Sequence, residues 1–397
     1  MADSGWLSQT TKREQMIAFA AEKQCHEALA WLMDFKKRTV DVAAEAAKEE
    51  AKLMREFTEK PDSVSAMKRI WSYQKNADGT LQITSYKGSD TQVEIPSVIG
   101  KAAVTSIGVE AFSAYGSSAR VKNLDVRRQI TSVVIPEGVT EIRENAFFAC
   151  DSLETVQLPG TLKEIGSEAF SRCTKLKNIS IPNPSASFGR LVFRDCPALT
   201  DENGFVIVSG VMFDYCGTEK TVTIPDGVTV LAPKAFGVSG SWDKNWKIKH
   251  VILPQGLRII GERVFESMSN LKTIAIPESV EQIRAHAFFC SGLEEIELHE
   301  GLKSIGDCAF MLSRLVTVQI PKTVRSIGNQ AFSDCNYLRD LYIPSETDRL
   351  GKELLGNYDS DDARYASHPS GIYVHTPSGS KAEAYMKQYS GVRVANE

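Results

Sequence analysis

Cys150, Cys173 and Cys196 stand 23 residues apart, Cys335 holds the same place in a similar context, and Cys290 sits one residue early. Thiols brought side by side by such spacing have two chemistries open to them, zinc ligation and disulfide formation. Zinc sites usually draw ligands in pairs about two to four residues apart, and the chain holds no Cys-x-x-Cys. A small, readily buried side chain filling a tight turn explains the column without chemistry. Cys25, Cys216 and Cys308 have no helpful neighbours, and eight cysteines among 397 residues are too sparse for a secreted disulfide scaffold. The six histidines, His26, His250, His286, His299, His368 and His375, are scattered. No His-Glu-x-x-His, phosphate loop, Gly-x-Ser-x-Gly or dinucleotide fingerprint occurs. The expectation is a protein that is not an enzyme, with no catalytic residue, no metal and no cofactor.

What positions the cysteines is a repeat. An Ile-Pro or Leu-Pro pair recurs at Pro96, Pro136, Pro159, Pro182, Pro225, Pro254, Pro277, Pro321 and Pro344, and His299 holds the place between Pro277 and Pro321. Phe112, Phe147, Phe170, Phe193, Phe236, Phe265, Phe288, Phe310 and Phe332 recur with them, at 22 or 23 residues wherever the interval is unbroken. Self-similarity at this period means a solenoid, in which each unit leaves an apolar face for its neighbour to cover. The unit reads Leu-x-x-Val-x-Ile-Pro-x-x-Val-x-x-Ile-Gly-x-x-Ala-Phe-x-x-Cys. Val156 and Leu158 alternate inward as in a strand while Thr155 and Gln157 face out, and Pro159, which cannot donate to a ladder, closes the strand. The phenylalanines are predicted to stack as a spine, each ring contributing about 1.5–3 kcal/mol on burial.

This unit resembles the leucine-rich repeats of the BspA type, found in bacterial proteins, over about Gln92 to Ile343. It departs from the commoner leucine-rich pattern in its Pro after the strand and its lack of a turn Asn, and Arg143 and Arg284 replace the Gly seen at Gly166 and Gly306. The resemblance implies a right-handed repeat solenoid, mainly β with irregular or short helical turns and a parallel sheet on one side, that binds other molecules.

Residues 1–70 read instead as an α-helical N-terminal region. Thr11 to Glu14 has capping-box form, and Met16, Phe19, Ala20, Leu29, Leu32 and Met33 follow helical spacing, so two helices are predicted around Glu22 to Glu27. The stretch Arg13 to Arg38 resembles the helix pair of one ankyrin-type repeat, without its Thr-Pro-Leu-His motif. A charged, partly exposed helix is predicted over Val40–Phe57. Residues 71–91 are predicted as a β-hairpin cap turning at Asp78-Gly79, 92–344 as the solenoid of about nine rungs, and 345–397 as a C-terminal cap with a capping box at Ser380 and Glu383.

A formal charge of 46 − 50 = −4 and a hydrophobic fraction of 42% give no sign of a nucleic-acid partner. No segment approaches the ~18 apolar residues of a membrane span, and Met1 to Gln15 lacks the pattern of a secretory signal. A cytoplasmic address is expected as written, and the cell surface or secretion if an export signal has been removed. The partner expected is a protein, with a surface adhesin recognising host protein or glycan as the alternative. Its contacts are expected on the outward strand positions, where Glu295, Glu297 and Glu300 make an acidic spot, and on loops that break the period. Intervals of 40, 43 and 29 residues follow Pro96, Pro182 and Pro225. The first contains the basic stretch up to Arg127 and Arg128, the second a hairpin at Ser209-Gly210. The third contains Trp242, Lys244, Trp246 and Lys247, aromatic area beside charge, which is a hot-spot composition.

Overall fold

A computed structural model describes residues 10–39, 48, 50–51, 63–115, 123–183, 186–237, 247–356, 371–389 and 392–396. The chain divides into two compact units, Met1–Met67 and Lys68–Glu397.

In the first unit, helices Thr10–Glu22 and His26–Thr39 are joined through Gln24, which takes a left-handed φ of 52°. Ala20 and Leu32 are buried between Met16, Ile17, Leu29 and Phe35. Phe19 and Met33, predicted on this face, point to solvent instead: one helix contacts one partner, so the apolar stripe needs a single row per turn. The first helix begins at Thr10, one residue before Thr11. Most of Val40–Phe57 falls outside the described residues.

The second unit is a β-solenoid of about 12 turns. Three-residue strands form one parallel ladder, as in Ser132↔Thr155↔Asn178. Two-residue strands such as Glu141–Ile142 and Glu164–Ile165 form another, a second parallel sheet that the repeat did not announce. Val156, Leu162, Ile165, Ala169, Phe170, Cys173 and Leu176 of one turn are all buried. Rings of successive turns stack at 4.7 Å for Phe112 and Phe147, 5.0 Å for Phe147 and Phe170, and 5.6 Å for Phe170 and Phe193. The stack resumes from Phe236 through Phe265, Phe288 and Phe310 to Phe332.

Around each ring the backbone takes left-handed φ at two ordinary residues, Asn145 (55°) and Ala149 (57°) beside Phe147, Glu168 (53°) and Arg172 (60°) beside Phe170. That conformation costs about 1–2 kcal/mol per residue. It also turns alternate N–H groups along the solenoid: Asn145, Phe147 and Ala149 donate to Ser167, Ala169 and Ser171 carbonyls at 3.0, 2.8 and 2.9 Å. Interturn hydrogen bonds and ring burial together hold the strained residues in place.

Nine turns carry the phenylalanine, and in three others its place falls to Tyr86, Tyr215 and Leu355, all buried. Tyr86 and Tyr215 end the second strands of two hairpins, Trp71–Lys75 with Leu81–Tyr86 and Phe205–Val208 with Val211–Tyr215. The second turns on Ser209 and Gly210 with φ of 51° and 76°, both positive as a tight hairpin turn requires. It starts a fresh eight-stranded sheet, as the first hairpin starts the other. Both tyrosines run beside a glycine two residues on, where a Cβ would lie 2.4 Å (Gly88) or 2.3 Å (Gly217) from the hydroxyl. Phe213 closes the earlier stack edge-on to Phe193 at 4.8 Å. The solenoid is thus two stacks in series, each opened by a hairpin.

At the C-terminal end, the Ser380 hydroxyl accepts from the Glu383 N–H at 3.0 Å, and the Glu383 carboxylate accepts from Gly379 at 2.6 Å. The Tyr385 hydroxyl donates to the Gly351 carbonyl at 2.7 Å and accepts from the Leu354 N–H at 3.2 Å, sealing the last turn. At the front, the basic insertion forms helix Leu124–Gln129 and buries Arg127. Its guanidinium donates to the carbonyls of Ser113 (3.0 Å) and Glu110 (3.3 Å) and to the Ser85 hydroxyl (2.6 Å), tying the hairpin to the first turns. Arg127→Met should lower stability by about 2–3 kcal/mol through the orphaned acceptors. It should also speed hydrogen exchange at Tyr86 and Phe112; unchanged exchange would show that the hairpin holds without the arginine.

Asp214 sits in the second hairpin at 3% exposure. Burial pushes its carboxyl up to about 6, against the Tyr215 N–H at 2.8 Å and the Cys216 thiol at 3.8 Å, which favour the charged form. A raised folded pKa means that stability is fullest below the ordinary value of 3.8 and falls as pH rises toward about 6. Asp214→Asn should therefore match the parent near pH ~4 and exceed it near pH ~7.5 by up to about 3 kcal/mol in urea unfolding. An equal difference at both pH values would show that Asp214 ionises as freely as in water.

Candidate functional site

The cysteine column is structural. The Cys150, Cys173, Cys196 and Cys335 thiols donate to the carbonyls of Phe112, Phe147, Phe170 and Phe310 in the preceding turn, at 3.3, 3.2, 3.1 and 3.1 Å. Met268, Ser291 and Ser313 take the same place elsewhere, and all are buried. Burial pushes the Cys196 thiol up to about 12 and Cys335 to about 11, and Cys173 likewise upward. None of the eight cysteines forms a disulfide, and no group of three metal-ligating side chains occurs among the described residues. In the native protein, iodoacetamide should label exposed Cys25, Cys216 and Cys290 and spare Cys150, Cys173, Cys196 and Cys335 until urea unfolds the chain. Native labelling of that column, read by mass spectrometry, would contradict the burial.

The outward face carries the candidate site. In His250–Ile252, Thr273–Ala275 and Thr317–Gln319 the middle residue is buried and its neighbours are exposed. In Glu295–Glu297 the middle residue, Ile296, is only half-buried. The ladder beside it is not continuous. Thr273–Ala275 pairs with Glu295–Glu297, whereas Thr317–Gln319 belongs to a separate four-stranded sheet with Asp340–Tyr342, Tyr373–Thr376 and Arg393–Asn396. Approaching the split, Arg314 N–H still donates to Leu293 O at 3.0 Å and Val316 N–H to Glu294 O at 3.3 Å. Beyond them the strands part, and a groove of about 800 Å³ opens along Glu295, Glu297, Leu298, Thr317, Gln319 and Tyr337.

The groove combines apolar area with uncompensated charge. Val316 is 45% exposed and Tyr337 55%. Glu294 pairs with Lys272 at 2.8 Å, and that contact holds its carboxyl below the usual range. Glu295 has no cation within ion-pair distance among the described residues, and Glu297 has only His299, at 4.0 Å. The Glu300 carboxylate accepts from the N–H groups of Lys322 and Thr323, both at 3.1 Å, as Glu137 in the first stack accepts from Gly160 at 2.8 Å. Two smaller grooves, about 540 and 360 Å³, continue the face. The larger holds Tyr342 and His375, whose rings stack at 4.1 Å while His375 Nε2 meets Asp340 Oδ1 at 2.9 Å.

Trp242, Lys244 and Trp246 lie outside the described residues, as do Tyr358 and Tyr365, and Lys247 is exposed beside buried Ile248. The sequence carries only a trace of Val316 and Tyr337 as exceptions to the repeat. Val316 is apolar where other repeats place Glu154, Lys177, Lys249, Lys272 and Arg339, and Tyr337 stands where they place Ser152, Lys175, Asn270 and Arg314.

The family model of the BspA type leucine-rich repeat region matches in six copies over residues 122–243 and 238–360. No match is found among the curated proteins. Among solved structures, a leucine-rich repeat protein from Bacteroides ovatus is 24% identical, with 82% of this chain and 75% of that chain covered at a TM-score of 0.37. A leucine rich cell surface protein from Faecalibacterium prausnitzii is 22% identical, with 80% and 95% covered at 0.29. A leucine-rich repeat protein from Bacteroides capillosus is 29% identical, with 34% and 92% covered at 0.28. No helix among the described residues is long and apolar enough to cross a membrane.

Proposed function

We propose, from the premise that the chain belongs to the BspA-type leucine-rich repeat family, that it is a non-enzymatic module holding a protein ligand on the outward face of its second stack. The observation that carries this reading is the groove at the split ladder, where Val316 and Tyr337 are exposed beside Glu295 and Glu297. Aromatic and aliphatic area ringed by polar groups is what a protein contact buries, and the turns beneath supply a rigid support. The loop with Trp242, Lys244, Trp246 and Lys247 is a second candidate contact, on composition. The alternative, an adhesin for host protein or glycan, would find a ring platform and a carboxylate in Tyr342, His375 and Asp340.

Affinity capture from native lysate compares the full chain with Val316→Ser/Tyr337→Ser and with Trp242→Ala/Trp246→Ala. Loss of a captured protein in the first variant, with unfolding unchanged, is the expected result. Loss only in the second would move the contact to the loop, and equal recovery by all three would reject both. Binding to a glycan array with protection from surface protease would favour the adhesin.

A further inference from the structure

We infer that the groove between Glu295–Glu297 and Thr317–Gln319 receives an extended, basic polypeptide segment in which lysine or arginine alternates with apolar side chains. The inference rests on the reading of this face as a protein-binding surface and adds the chemistry of the partner. Glu295 and Glu297 occupy alternate positions of one strand and both face outward. Alternate residues of a strand recur at about 6.6 Å, which is also the spacing at which an extended ligand presents successive side chains on one side. Two carboxylates on that spacing match two cations on the same spacing, which an extended ligand offers at alternate residues.

Charge complementarity is local and specific. Lys272 neutralises Glu294 at 2.8 Å, and Arg314 stands on that same side, where its field adds to the depression of the Glu294 carboxyl. Glu295 and Glu297 are left as the acidic pair, with both residues exposed. The groove also has what a bare acidic patch lacks. Half-buried Ile296 and exposed Val316 and Tyr337 line the same groove as the carboxylates. Apolar side chains of the ligand would cover the first two, and the Tyr337 ring offers a face to a cation. A small inorganic cation would leave this apolar area exposed, so the observations favour a peptide.

The test uses the full chain and two fluorescent probes, a short peptide alternating lysine and valine and its twin alternating glutamate and valine, titrated by anisotropy at low and high salt. The lysine peptide should bind and the glutamate peptide should not, with affinity falling as salt rises. Glu295→Gln/Glu297→Gln should weaken binding by about tenfold or more, and Glu295→Lys/Glu297→Lys should reverse the preference. Thermal unfolding of each variant confirms the fold. Equal binding of the two peptides, or an unchanged preference in the lysine variant, would overturn the inference. If the lysine peptide fails while Val316→Ser/Tyr337→Ser still abolishes protein capture, the face remains a binding surface and the basic partner is rejected.

Discussion

The contact on which the second unit depends is that between one turn and the next around the phenylalanine. A ring such as Phe147 lies 4.7 Å from the ring before it and 5.0 Å from the one after. The backbone beside it is forced into left-handed φ at ordinary residues so that its N–H groups reach the next turn. Neither feature is stable alone. An isolated turn would expose its ring, carry the strain at two residues, and leave three donors unanswered. Stability therefore belongs to neighbouring pairs of turns, as in repeat proteins generally.

That dependence makes every end of a stack a problem of unpaired groups and bare rings, and the chain solves it with tyrosine. Tyr86 and Tyr215 cover the ring at the opening of each stack, and the Tyr385 hydroxyl satisfies both a carbonyl and an N–H at the close. The hairpin ending in Tyr215 shows that an opening can be repeated in mid-chain. Phe213 turns edge-on to finish one stack while Tyr215, two residues later, begins the next.

Because spine and two-residue ladder are continuous through the second stack, the outer ladder is free to part. Eight strands are paired without a break on one side, while the three-residue strands fall into separate sheets. The groove beside Glu295 is thus an opening in a surface whose support is paired without a break, an arrangement that lets a site present charge and apolar area with little loss of conformational entropy on binding. The buried thiols belong to that support: each answers the carbonyl of a phenylalanine one turn back.

The repeat of Pro, Phe and Cys by itself determined that turns of 22 or 23 residues stack, that the phenylalanines form the spine, and that the cysteine column is packing. Period and polarity carry that much because every turn meets the same neighbours. The hairpin at Ser209-Gly210 was legible too, since its turn residues tolerate positive φ. Tertiary structure alone decided the rest. Asn145, Glu168, His286 and Cys308 share a left-handed conformation without sharing any chemistry, because the interturn hydrogen bonds impose it on whatever residue stands there. Likewise Glu295 and Glu300, alike in sequence, differ in role because one faces open groove and the other meets two N–H groups from the following turn. Which three-residue strands pair and which do not is a relation between turns, and it exists only once the turns are stacked.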